Sequence, residues 1–277
     1  MKNNILKINN LKVYSNKNSR FKLVKNISLS LEKGKTTCIV GESGSGKSLT
    51  ALSVMQLLSP QLNMSGNIVF EGINLLSLTK EEIRKKRGKD IAMIFQEPMT
   101  SLNPVLTIGY QIKEAIDVHE KLNKADLSMR VEELLNIVGI PTDRINSYPD
   151  ELSGGQRQRV MIAMAISCSP KLLIADEPTT ALDVTVQAQI LNLLHNLKIK
   201  YKMTMLFITH DFGVVNDIAD DVAVMYQGEI VEQGNVSNVL KNPKHPYTKA
   251  LLDCVPDSKG KKDLKPIDYS ALKRVMG

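Results

Sequence analysis

The 277-residue sequence contains no tryptophan, and aromatic residues make up only 4% of it. That leaves little material for stacking on nucleic-acid bases. Its three cysteines, Cys38, Cys168 and Cys254, are isolated from one another and form no Cys-x-x-Cys pair. A zinc site or redox pair is therefore not indicated, and the usage fits a reducing compartment. No stretch approaches the ~18–20 consecutive apolar residues that cross a bilayer, so any work at a membrane would need other chains to do the spanning. The first residues, Met1-Lys2-Asn3-Asn4, lead into a mixed polar and apolar segment unlike a secretory signal. No internal repeat is visible.

A 43% hydrophobic content is enough to bury the core of one large domain. The formal charge is +7, from 36 Lys+Arg against 29 Asp+Glu, and part of the excess lies at Lys259, Lys261, Lys262, Lys265, Lys273 and Arg274. That tail reads as solvated surface, with attraction to an anionic face as the alternative.

Residues 4–13 and 23–31 alternate apolar and polar and predict strands. A β-branched run, Thr36–Val40, comes before a glycine-rich loop. Apolar residues Leu49, Leu52, Met55 and Leu58 then predict a helix over 47–58, stopped near Pro60. Residues 91–95 read as a buried strand ending at Gln96. Two helices follow, one with Ile108, Ile112, Ala115 and Ile116 on a face, the next with Leu127, Val131, Leu134, Leu135 and Val138, closed by Gly139 and Pro141. A further helix is expected over 157–167. Residues 172–175 and 205–209 read as buried strands, and 221–226 with 229–233 as a hairpin around Gln227-Gly228. Strands alternating with helices in this way imply an α/β fold with a mainly parallel, helix-covered sheet, and a helical subdomain inserted at about 97–155.

Three motifs carry chemistry. Gly41-Glu42-Ser43-Gly44-Ser45-Gly46-Lys47-Ser48 follows a predicted strand and opens a helix, the context a phosphate loop requires. Its glycines let backbone N–H groups wrap a phosphate, Lys47 supplies a point charge, and the Ser48 hydroxyl suits Mg²⁺. At the end of the second buried strand stand Asp176 and Glu177. A rigidly held Asp176 suits Mg²⁺, and Glu177 is placed to polarise a water for in-line attack on a phosphate. Between these lies Leu152-Ser153-Gly154-Gly155-Gln156, which offers a hydroxyl, open backbone N–H groups and a helix dipole to an anion. The same Ser-Gly-Gly could also serve as a plain helix cap.

Together these motifs, with Tyr148-Pro149 before the third and Gln156-Arg157-Gln158-Arg159 continuing it, resemble the ATP-binding-cassette (ABC) ATPases over about residues 5–256. The resemblance implies the nucleotide-binding-domain fold of that family: a P-loop core with a mainly parallel sheet, an N-terminal antiparallel β-region and the inserted helical subdomain. The cassette would occupy 1–256, with a short basic tail over 257–277. It implies that Gly41, Ser43, Gly44, Ser45, Gly46, Lys47, Ser48 and Leu49 bind nucleotide, and that Ser48, Gln96 and Asp176 hold Mg²⁺. By the same resemblance Glu177, His210 and Gln96 are catalytic, with Gln96 matching the Q-loop glutamine and His210 the switch histidine. Ser153, Gly154, Gly155 and Gln156 would serve the ATP held by a partner subunit. Asp183 matches the D-loop at the dimer interface, and a helix N-cap is compatible with that role. For the ring that stacks on adenine the choice is Tyr14, with Phe21 as the rival.

Within the family, Gln96-Glu97-Pro98-Met99-Thr100-Ser101-Leu102-Asn103-Pro104 and His245-Pro246-Tyr247-Thr248-Lys249-Ala250-Leu251-Leu252 resemble the oligopeptide, dipeptide and nickel importer ATPases. So does the run from Asp176 through Ala181-Leu182-Asp183 to Gln189. The resemblance implies the ATP-hydrolysing motor of a binding-protein-dependent importer at the cytoplasmic face of the membrane. Its cofactors would be ATP and Mg²⁺. Its partners would be a related but different ATPase chain, two permease subunits and, indirectly, an extracytoplasmic solute-binding protein, with no nucleic acid. Only Cys254 lies where some members bind an iron–sulfur cluster, and a cluster needs several thiolates, so no cluster is expected. The short tail leans toward a nickel or metal-chelate member. The rival class is a soluble ABC ATPase acting on nucleic acid or ribosomes. Such chains carry coiled-coil insertions, zinc cysteines or two cassettes, and this sequence has none of these.

Overall fold

The computed structural model describes residues 3–97 and 101–254. Pro98, Met99 and Thr100 of the segment after Gln96, and the basic residues from 259 to 274, lie outside the described residues. The chain divides into two compact units, Met1–Leu76 with Phe207–Gly277, and Ser77–Leu206.

The first unit opens with an antiparallel sheet. β1 (Asn4–Ser15) pairs on one side with β2 (Lys22–Glu32). Leu6, Ile8, Leu11 and Val13 are fully buried. Their alternation slips once, because Asn10 takes φ 51° and the register with β2 shifts between Ile8 and Leu11. The Asn10 N–H donates to Ser28 Oγ at 3.0 Å. Next come β3 (Thr36–Val40), buried at all five residues, and α1 (Lys47–Met55). α1 stops short of the expected Leu58: Gln56 turns left-handed, φ 50°, and its side-chain amide donates to the Leu75 carbonyl. β4 (Leu62–Phe70) and β5 (Ile73–Asn74) complete the sheet in the order β2-β1-β4-β5. β4 carries Asn63, Gly66 and Asn67, residue types that strands disfavour, and its sequence did not announce a strand. Pairing along β1 forms it, and Gly66 lies against the bulge, where a Cβ would stand 2.6 Å from the Asn10 carbonyl oxygen.

The second unit begins with α2 (Lys80–Lys86), started by a capping box between Thr79 and Glu82. β6 (Ile91–Ile94) follows, then α3 (Ile108–Asp117), α4 (Lys124–Ile137) and α5 (Gly154–Ile166). Thr107, Asn123 and Ser153 supply N-caps to these three helices. α3 packs on α4 and α5 and buries Ile108, Ile112 and Ile116, and α4 buries Leu127, Val131, Leu134 and Leu135. β7 (Leu172–Asp176) runs parallel to β6 in the register Ile91↔Leu172 to Ile94↔Ala175. Both strands are buried throughout, as expected for parallel strands covered on both faces. α6 (Val184–Tyr201) comes next, and β8 (Thr204–Thr209) carries the chain back into the first unit.

There α7 (Phe212–Ile218) leads to the expected hairpin, β9 (Asp221–Tyr226) and β10 (Glu229–Asn235). β9 lies parallel to β3 and antiparallel to β10. The junction is tied at Asp220, whose carboxylate accepts the Thr36 N–H at 2.7 Å while its own N–H donates to the Thr36 carbonyl at 2.9 Å. α8 (Val236–Lys241) and α9 (Pro246–Asp253) follow. The Glu232 carboxylate on β10 accepts the N–H groups of Lys244 and His245 at 2.8 and 3.0 Å. Burial opposes its charge, but these amides together with the Thr248 hydroxyl and the nearby His245 hold it below the usual carboxylate range. Among the described residues no helix is long and apolar enough to cross a membrane.

Leu6 is fully buried in β1, which is paired on both sides. We expect Leu6→Ala to cost about 2–5 kcal/mol in a denaturant-unfolding measurement.

Candidate functional site

In the first unit the phosphate loop bridges β3 and α1. Gly44 and Gly46 take φ 79° and 106°, conformations that favour glycine. Gly46 is also the α1 N-cap, and a Cβ there would press on the Met225 side chain at 2.8 Å. Around Gly44 a Cβ would meet nothing within 4 Å, so the crest of the loop is open. Ser43 and Gly44 are exposed while Ser45, Gly46 and Lys47 are buried. Lys47 Nζ donates to the carbonyls of Gly41 and Glu42 at 2.7 and 2.8 Å, folding the loop over its own ammonium. The buried Ser45 hydroxyl has no hydrogen-bond partner among the described residues. An open crest at the start of a helix, a buried cation and an unpaired buried hydroxyl fit a polyphosphate. Ser48 and Leu49 are half-buried on the first turn of α1.

The same unit holds Tyr14, half-buried in β1, and Phe21, 62% exposed just before β2. His210 is exposed directly after β8. The next residue, Asp211, starts α7 by accepting the Gly213 N–H at 2.8 Å.

In the second unit Asp176 is the buried last residue of β7, 5% exposed. Glu177 leaves the strand with φ 46°, an unusual conformation for a side-chain-bearing residue. Its carboxylate accepts from the Gln96 amide at 3.2 Å and from the Thr180 hydroxyl at 2.9 Å. Gln96 and Glu177, both singled out from the sequence, are thus brought into contact. Thr180 was not singled out. The Glu-Pro-Thr-Thr turn was visible, but only folding shows that its second threonine meets the carboxylate.

The third motif also differs from expectation. α5 starts at Gly154, three residues earlier than the helix expected over 157–167. The reason is a capping box: Ser153 Oγ accepts the Gln156 N–H at 3.3 Å, and the Gln156 side chain accepts the Ser153 N–H at 2.9 Å. The hydroxyl is used as an acceptor and keeps its own proton to donate. Arg157 holds the approach to the helix by donating to the carbonyls of Pro149 and Leu152, and Arg159 donates to the Val138 carbonyl at the end of α4. Asp183 is the N-cap of α6, accepting the Val186 N–H at 2.9 Å. The two helix starts are close. A Cβ on Gly155 would stand 2.6 Å from Val186 Cγ1, and one on Gly154 would stand 3.6 Å from Leu182 Cδ2. Val184, 84% exposed, projects beside them.

Among the described residues no group of three or more His, Cys, Asp and Glu could hold a metal ion. Of the magnesium donors expected from the sequence, Ser48 lies in the first unit and Gln96 and Asp176 lie in the second. Cys38, Cys168 and Cys254 form no disulfide with one another, and Cys38 is buried. A cavity of about 300 Å³ in the first unit is lined by Thr37, Asp221, Gln233 and neighbours. It lies at the N-terminal ends of β3 and β9, contains no phosphate-loop residue and carries no cation.

The ABC transporter family matches residues 24–180, and the oligopeptide/dipeptide transporter C-terminal region matches residues 231–274. The oligopeptide transport ATP-binding protein OppD of Bacillus subtilis (strain 168) is 52% identical over 250 residues, 88% of this chain and 70% of that protein. AppD of the same organism, also an oligopeptide transport ATP-binding protein, is 49% identical over 264 residues, 94% of this chain and 80% of its own. The dimeric post-hydrolysis structure of the ATP-binding cassette MJ0796 with ADP and Pi superposes with a TM-score of 0.74 at 28% identity. The match covers 83% of this chain and 98% of the cassette.

Because Ser153 caps α5, we expect Ser153→Ala to cost about 1 kcal/mol of stability in a denaturant titration, whatever its effect on function.

Proposed function

The chain belongs to the ABC transporter ATP-binding family, and from that premise we propose that it is the ATP-hydrolysing motor of a peptide importer. The observation that carries hydrolysis, as opposed to nucleotide storage, is the Glu177 carboxylate held by Gln96 and Thr180 at the end of β7. A carboxylate fixed by two donors has a defined direction in which to accept a proton from water. In this reading the loop from Gly41 to Ser48, with Leu49, binds the phosphates, Lys47 neutralises them, and Tyr14 or Phe21 stacks on adenine. Ser48, Gln96 and Asp176 hold Mg²⁺, which offsets phosphate charge when bound. Glu177 polarises the attacking water and His210 orients it.

The roles of Ser153, Gly154, Gly155 and Gln156 follow from the same reading. The open start of α5 presents backbone N–H groups and a hydroxyl proton to the γ-phosphate of an ATP on a second cassette, with Asp183 at the shared interface. The isolated chain is then a weak ATPase until a partner, a related but different cassette, closes on it. The helical part over about 97–155 receives a permease subunit, which places this chain peripherally at the cytoplasmic face of the membrane. A solute-binding protein would deliver the cargo from the other side. The matched C-terminal region and both relatives above are named for oligopeptide transport, which favours a peptide over a nickel chelate. Co-purification of permease chains supports this assignment, and nucleic acid in their place would favour the soluble class.

Two substitutions test the reading. Glu177→Gln should bind ATP within about twofold of wild type and lose at least about 10²-fold in turnover in the assembled transporter. Wild-type turnover would remove Glu177 from catalysis. Ser153→Arg should leave ATP binding by the isolated chain intact and stop hydrolysis at the partner's site. Loss of nucleotide binding by the isolated chain would contradict the cross-subunit role.

A further inference from the structure

The peptide group that joins Gly41 to Glu42 is held from both ends. Its carbonyl, that of Gly41, accepts from Lys47 Nζ at 2.7 Å, and its N–H, that of Glu42, donates to the Tyr247 hydroxyl at 3.2 Å. Tyr247 lies 205 residues away in sequence, in the first turn of α9, and is fully buried. Its ring sits 4.2 Å, centroid to centroid, from that of Tyr226 at the end of β9. In the turn after Tyr226, the Gly228 N–H donates to the Ser45 carbonyl at 2.9 Å. The phosphate loop is therefore bound on the outside by two elements, the β9–β10 turn at Ser45 and α9 at Glu42. α9 is itself anchored. His245 Nδ1 accepts the Tyr247 N–H at 3.2 Å, and the Glu232 carboxylate accepts the two amides ahead of the helix.

We propose that Tyr247 is a positioning residue for nucleotide binding, through which the C-terminal segment sets the affinity of the phosphate loop. The proposal rests on the reading of that loop as the ATP site. A loop that binds through its backbone N–H groups must hold those groups in place before the anion arrives, or binding has to supply the ordering. With the Glu42 N–H directed to Tyr247 and the Gly41 carbonyl to Lys47, the Gly41–Glu42 peptide has a fixed plane. That plane sets the direction in which the chain enters the open crest at Ser43 and Gly44. Removing the phenol oxygen leaves a partly buried N–H without its partner. The peptide is then free to turn toward water, and the crest loses its fixed entry.

Tyr247→Phe deletes one oxygen and keeps the ring against Tyr226. In the full-length chain we expect ATP–Mg²⁺ to bind about three- to tenfold more weakly. Amide hydrogen exchange in the peptide containing Glu42–Ser45 should speed up while exchange in β1 stays unchanged. Tm should shift by no more than about 2 °C, a combination that loss of packing alone does not produce. Unchanged affinity, unchanged exchange at Glu42, or a change in only one of the two overturns the proposal. If the Phe variant does not fold, Glu232→Gln decides, because it loosens the entry to α9 without touching the loop. A weaker ATP affinity with a folded chain is expected there, and wild-type affinity refutes the link. Lys47→Ala, measured alongside, separates the two readings. If it abolishes ATP binding while Tyr247→Phe changes nothing, only the role of Tyr247 falls. If it leaves ATP binding intact, the ATP-site reading falls and the Tyr247 proposal with it.

Discussion

A loop that binds a polyanion through its own backbone has to be held in shape by groups that are not themselves needed for the anion. This constraint governs the first unit. The crest at Ser43-Gly44 stays open because the bonds that shape the loop lie behind it: Lys47 on the carbonyls of Gly41 and Glu42, Tyr247 on the Glu42 N–H, and Gly228 on the Ser45 carbonyl. Lys47 is buried at 4% exposure, a position a cation tolerates only when well solvated by dipoles. The two carbonyls provide that solvation, so the buried ammonium also organises the loop.

The second unit fixes the direction of a carboxylate at Glu177. Two neutral donors, Gln96 and Thr180, reach it, and Glu177 leaves β7 with a left-handed backbone at φ 46°. The local cost of that conformation is of order 1–3 kcal/mol and is sustained by the buried strand behind it. At α5 the same economy is visible. Ser153 satisfies a helix terminus through its lone pair and retains its proton, so capping the helix and presenting a donor to an anion do not compete.

Residues that serve the helix start can therefore also serve the ligand, and this explains why a motif such as Leu152-Ser153-Gly154-Gly155-Gln156 reads as both cap and binding site. Gly155 adds a packing reason for its small size, since α6 approaches too closely to admit a Cβ. The N-cap of α6, Asp183, is held beside it by that same close approach.

The phosphate loop, the pair Asp176-Glu177 and the third motif were legible because backbone-mediated phosphate binding needs particular residues at fixed local spacing. The buried strands β3, β6, β7 and β8 were legible as continuous apolar runs, and the hairpin β9–β10 from its Gln-Gly turn. β4 was not, because Asn63, Gly66 and Asn67 disfavour a strand locally and only pairing with β1 overrides them. The early end of α1 was hidden for a like reason, since it depends on Gln56 reaching Leu75. The sequence by itself singled out residues whose chemistry suits nucleotide, Gln96, Lys47 and Glu177 among them. Tertiary structure alone decided who holds them: Thr180 against Glu177, Val186 against Gly155, and Tyr247 against Glu42. These partners are set by the packing of distant elements, and no local spacing encodes that packing.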